Sequence, residues 1–91
     1  MSRSNTVFIG RKPVLNYVLA CMTLFKSGQE EVLVKARGRS ISTAVDVVEV
    51  IRGRFMPELK VGEIIIGTEE LTSPDRNQPT NVSTIEIKLH R

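Results

Sequence analysis

Thr6-Val7-Phe8-Ile9-Gly10-Arg11-Lys12-Pro13 is a short apolar, β-branched run that stops at a glycine and passes through two cations to a proline. It reads as a strand, a turn and the start of a helix. The β-branched residues suit a pleated surface, and Gly10 breaks the pattern. Pro13 suits the first helical position, where its missing N–H costs nothing. Residues 13–27 continue as that helix, closed by Lys26 and Gly28. Its apolar residues, from Val14 and Leu15 to Leu24 and Phe25, lie nearly all the way round. Such a helix must pack on a sheet and on something further, either a second helix or another subunit. Val32-Leu33-Val34-Lys35-Ala36 then reads as a second strand. A strand, a helix and a strand in succession predict a right-handed βαβ unit with parallel strands.

Beyond Arg37-Gly38-Arg39, Ser40 or Ser42 is placed to cap another helix. Ile41, Ala44, Val45, Val48, Ile51 and Phe55 recur there at helical spacing, Val47 and Val50 form a second, smaller apolar strip, and Pro57 ends the helix near Met56. Val61 to Gly67 and Val82 to Leu89 read as two more strands. In the last, Ile85, Ile87 and Leu89 face one way and Thr84, Glu86 and Lys88 the other. The polar stretch between them, Thr72 to Asn81, is expected to be the mobile tip of a hairpin projecting over about residues 68–82. The expected fold is α/β. It is a single-domain, two-layer β-α-β-α-β-β sandwich over residues 1–91, with two helices on one face of a four-stranded mixed sheet.

The composition is globular, with 41% hydrophobic and 25% charged residues, so a disordered tail is excluded. Net charge is +3, but it is unevenly distributed. Residues 1–45 hold seven Lys and Arg against two acids, and residues 46–91 hold six against eight. The asymmetry points to one basic face and a polyanionic partner. Cys21 is the only cysteine, which suits a reducing, cytoplasmic setting. No apolar run reaches membrane-spanning length, so no membrane partner is expected.

Catalytic chemistry finds little footing. The one histidine, His90, lies next to the last residue, and one His with one Cys cannot supply a metal's four ligands. Glu30-Glu31 and Glu69-Glu70 read as solvated surface. Gly10-Arg11-Lys12-Pro13 lacks the spacing of a nucleotide-binding loop. No catalytic residue, metal or cofactor is therefore assigned. The two basic turns are more informative. In a parallel βαβ unit both turns emerge at the same sheet edge, so Arg11, Lys12, Arg37 and Arg39 share one rim beside two helix N-termini. Gly10 and Gly38 let the backbone approach a phosphate.

Four blocks carry a resemblance. They are Ile9 to Val18 (IGRKPVLNYV), Val34 to Ser42 (VKARGRSIS), Arg52 to Pro57 (RGRFMP) and Asn81 to Ile87 (NVSTIEI). In this order, and over almost the whole chain, they resemble the Alba proteins of archaeal chromatin. The resemblance implies a fold similar to the C-terminal domain of translation initiation factor three, and a dimer. It implies that Arg11, Lys12, Arg37, Gly38 and Arg39 hold the sugar-phosphate backbone, with Asn16 and Tyr17 close by. It further implies that the hairpin carrying Arg76 enters the minor groove, and that Phe55 mediates contacts between neighbouring dimers. The family's basic turn often carries two lysines regulated by acetylation. Here the first of the pair is Arg11, so only Lys12 can be acetylated.

The function this implies is sequence-independent binding and compaction of double-stranded DNA on the chromosome, with RNA as a further partner. A mainly RNA-binding role, as a ribonucleoprotein subunit or RNA chaperone, is the alternative, since the same rim can follow an A-form backbone. A small enzyme or a scaffolding dimer is the reading from another class; absence of nucleic-acid binding at low salt would favour it.

Overall fold

The structure, a computed structural model, describes residues 4–72 and 79–91. The elements run β1 (Thr6–Phe8), α1 (Val14–Lys26), β2 (Glu31–Arg37), α2 (Ser40–Val50) with a π-helical turn at Ile51–Phe55, β3 (Lys60–Leu71) and β4 (Thr80–His90). The strand order is β1-β2-β4-β3. β1 and β2 are parallel, while β4 is antiparallel to both β2 and β3. This is the mixed, two-layer α/β sheet expected from the sequence. β3 and β4 are longer than their apolar cores suggested, because cross-strand pairing carries the ladder out to Leu71↔Thr80. Of the expected mobile tip, Thr72 to Asn81, the end Thr80-Asn81 is strand, the start of β4, and residues 73–78, with Arg76, lie outside the described residues.

Alternation along the strands fixes the two faces. Val32, Val34 and Ala36 of β2 are buried under the helices with Val7 and Ile9, and with Ile87 and Leu89 of β4. α1 inserts Val18, Cys21 and Phe25, and α2 inserts Ala44, Val47 and Val48. Arg91 closes the far end of α1: its guanidinium donates to the Phe25 carbonyl at 2.7 Å and lies 5.6 Å from the Phe25 ring centroid. It thereby satisfies an end-of-helix carbonyl and complements the helix dipole.

Three local expectations are corrected. Pro13 is the residue before α1, with extended backbone (φ −57°, ψ 149°), not its first helical residue. Neither Ser40 nor Ser42 caps α2; Arg39 holds the cap position and no side chain caps it. The turn of Gly38 at φ +57° delivers the chain straight into the helix without an extended serine before it. Val47 is not on a spare strip, because it is fully buried in the core, leaving only Val50 half-exposed.

Cys21 sits at the centre of this core with no exposure. Burial pushes its thiol from the usual 9.0 up to about 12, since the charged thiolate loses its hydration. The native state thus favours the neutral thiol. Its contribution to stability is complete below pH 9 and is lost as pH rises from there towards 12. Cys21 is expected to resist thiol reagents at pH 8 until the protein unfolds, as a timed labelling experiment with and without denaturant would show. Rapid labelling of the folded protein would contradict its burial.

Candidate nucleic-acid interface

The two basic turns meet as the parallel pairing requires. The β1 ladder continues past its last residue, with Ile9 donating to the Lys35 carbonyl at 2.8 Å. The chains then diverge into Gly10-Arg11-Lys12 and Gly38-Arg39 at the same end of the sheet, each leading directly into a helix. Arg11, Lys12, Arg37, Gly38 and Arg39 are all exposed. Neither α1 nor α2 has a side-chain cap or an acidic residue in its first turn. The partial positive charge of both N-termini therefore faces the rim unopposed.

The register places the hairpin at this end too. Arg37 pairs across the sheet with Thr84, and Thr84 with Gly67. β3 and β4 run on together from there for four more paired positions, ending at Leu71↔Thr80. At ~3.4 Å per residue the arm extends about 14 Å past the end of β2.

Not all four cations are equally available. Arg37 is held by Glu69, its Nη1 against Oε1. Among the described residues, Arg11, Lys12 and Arg39 have no acidic partner. Glu69 lies 32 residues from Arg37, and only the packing of β3 beside β4 brings the two together. It is exposed, as its sequence setting suggests, and no local signal marks it as the partner of Arg37.

Tyr17 sits beneath the first turn, only 8% exposed. Its hydroxyl oxygen accepts hydrogen bonds from the backbone N–H groups of Gly10 and Lys12, each at 2.9 Å. That uses both oxygen lone pairs and leaves the hydroxyl proton available for a third partner. Tyr17 thus braces the Arg11-Lys12 turn from below. Gly10 is small for the same reason: a Cβ there would meet the Tyr17 hydroxyl at 3.2 Å. Gly38 answers a different need, the left-handed backbone at φ +57°. Asn16 is exposed one residue before Tyr17. Phe55 is 46% exposed at the end of the π-helical turn, in another part of the molecule from the rim. Lys12 is exposed.

Among the described residues no group of three or more His, Cys, Asp or Glu side chains is placed to hold a metal ion. No helix among the described residues is long and apolar enough to cross a membrane.

The fold and rim define a small two-layer α/β domain that presents unpaired cations and helix N-termini on one edge. The sequence pattern of the Alba family matches residues 5–68, and the chain belongs to that family. It is 52% identical over 91 residues to the "DNA/RNA-binding protein Alba" of Methanocella arvoryzae, covering all of this chain and 94% of the relative. It is 57% identical over 86 residues to the "DNA/RNA-binding protein Alba 1" of Archaeoglobus fulgidus, covering 93% of each. Among solved structures, Alba from Thermoplasma volcanium superposes with a TM-score of 0.87 at 45% identity, over 94% of this chain and 99% of the other. ALBA1 from Trypanosoma brucei gives 0.78 at 28% identity, over 100% and 72%.

Proposed function

We propose that this protein binds double-stranded DNA without regard to sequence, coats and compacts it on the chromosome, and binds RNA through the same rim. One observation carries the reading: Arg11, Lys12 and Arg39, without acidic partners, converge with two uncapped helix N-termini on one edge. Phosphate contacts position a protein on nucleic acid, and base contacts specify sequence. The rim offers the first kind. Asn16 and the Tyr17 hydroxyl proton add hydrogen bonds to the backbone, and Arg76 extends the reach into the minor groove. No part of this reading calls for a catalytic step.

The protein acts as a dimer. The surface that supports this is not the spare strip of α2 but the helix-side face of β3. Ile64 and Ile66 lie opposite Ile87 and Ile85, hence on the face where the helices pack. They remain 53% and 78% exposed because β3 is the outer strand and neither helix reaches it. Phe55 then serves contacts between dimers along DNA. Acetylation of Lys12 would remove one of the three unopposed charges and loosen the grip.

Salt dependence tests the rim quantitatively. Glu69 cancels Arg37 locally, so each protomer counts three effective cations rather than four. A dimer then neutralises about six phosphates, and log affinity falls with log salt at a slope of about −5. In Glu69→Gln the freed Arg37 steepens the slope to about −7 and tightens duplex binding. Binding that is indifferent to salt would refute the rim, and an unchanged slope in Glu69→Gln would show that phosphate displaces Glu69 in the native protein.

Bracing by Tyr17 makes a second local prediction. Tyr17→Phe keeps the packed ring but removes the acceptor, leaving the Gly10 and Lys12 N–H groups to water. Duplex affinity is expected to fall about 5- to 10-fold, the worth of ~1 to 1.5 kcal/mol for a lost hydrogen bond. Amide exchange at Gly10 and Lys12 should quicken, and unchanged exchange there would refute the bracing role.

A further inference from the structure

The face of the sheet opposite the helices is open. Across it, in one row, lie Phe8 of β1, Lys35 of β2, Glu86 of β4 and Ile65 of β3, fixed by the pairings Phe8↔Lys35, Lys35↔Glu86 and Ile65↔Glu86. Phe8 is 71% exposed although its neighbours Val7 and Ile9 are buried. A groove of about 490 Å³ runs over this row and on past Arg37. Its volume is that of a small-molecule site.

We propose that this groove takes one unpaired nucleobase, stacked on Phe8, when the rim binds single-stranded nucleic acid. The proposal rests on the rim reading above and assigns the open face a part in it. Three observations support it. An exposed aromatic ring on a strand is a stacking platform, since every base has a π-face. The groove floor is an ion pair, Lys35 Nζ to Glu86 Oε1 at 3.2 Å, so its net charge is zero. It suits a neutral base and does not attract phosphate. Finally, the groove is continuous with the rim: Arg37 borders both, and Phe8 stands two residues before Gly10, about 7 Å along the chain. A strand whose phosphates lie on Arg11 and Arg39 can thus turn one base inward over the sheet. Duplex DNA, with its bases paired and stacked, cannot use the groove.

The test compares a six-nucleotide single-stranded RNA with a 20-base-pair duplex, each titrated into the native protein and into Phe8→Ala. Phe8 is solvent-exposed, so its truncation leaves the core intact. Native protein should bind both. Phe8→Ala is expected to weaken binding of the single strand at least fivefold and leave duplex affinity within twofold, and amide shifts induced by the single strand should centre on Phe8, Lys35 and Glu86. Equal losses for the two ligands, or shifts confined to the rim, would overturn the proposal while leaving the rim intact. Failure of the native protein to bind either ligand would overturn the rim and this site together. A fall in sedimenting mass for Phe8→Ala would instead identify the open face as a contact between copies of the chain, and would also overturn it.

Discussion

Replacing Arg11, Lys12 and Arg39 together by alanine is expected to reduce duplex affinity at least ~10³-fold at 0.1 M salt and to flatten the salt slope from about −5 to shallower than about −2. A slope of −5 means that lowering salt tenfold raises affinity by about five decades, nearly all of it from released counterions. Removing six charges from the dimer removes that source. Arg37, tied to Glu69, and Arg76 remain. The fold should hardly notice, because the three side chains are exposed and lie in turns or at a helix cap. Such substitutions usually shift stability by under ~0.5 kcal/mol. Duplex titrations at several salt concentrations, beside thermal unfolding, give the answer. Retention of native affinity by a folded triple variant would refute the assignment of phosphate binding to the rim.

The features legible in the sequence were those set by near neighbours or by period. β1, its glycine stop and α1 follow one another in the first 26 residues, and the parallel return of β2 follows from the handedness of the connection. That logic alone placed Arg11-Lys12 and Gly38-Arg39 on one edge. What escaped depended on contacts between distant parts of the chain. Glu69 neutralises Arg37 only because β4 lies between β2 and β3 in the sheet. The family resemblance sets Tyr17 close to the binding surface but says nothing of its contacts with the Gly10 and Lys12 N–H groups. The actual place of Tyr17 depends on the ring reaching under the turn, and the period of α1, with Val18 and Cys21 buried beside it, was the available hint. Val47 was misassigned because a helix packed between a sheet and another helix buries more than one stripe, so a second strip need not be an interface. The apolar run Ile64-Ile65-Ile66 gave no sign of its exposure, since an edge strand and a central one read alike until the strand order is known.

That edge strand leads to the second large effect. Ile64→Asp combined with Ile66→Asp is expected to convert the proposed dimer to a 10.2 kDa monomer. Burying an isoleucine side chain fully is worth roughly 1.5–3 kcal/mol. The two side chains in both protomers therefore account for several kcal/mol of association, before any cost of burying the new carboxylates. Homodimer interfaces are most apolar at their core, where an unpaired charge is least tolerated. Both side chains are exposed in the single protomer, so the variant loses no core contact and should remain folded. Sedimentation at micromolar concentration reports the mass. Binding provides an independent check, because a monomer carries half the rim: about three phosphates instead of six, with a salt slope near −3. A variant that stays dimeric with an unchanged slope would shift the interface to another exposed apolar surface, such as Leu15 and Leu19 on α1. Aspartate at those two positions would then have to produce the monomer. If the native protein itself sediments at one chain mass, the two rims are not joined in solution and the affinity of each must be explained by a single protomer.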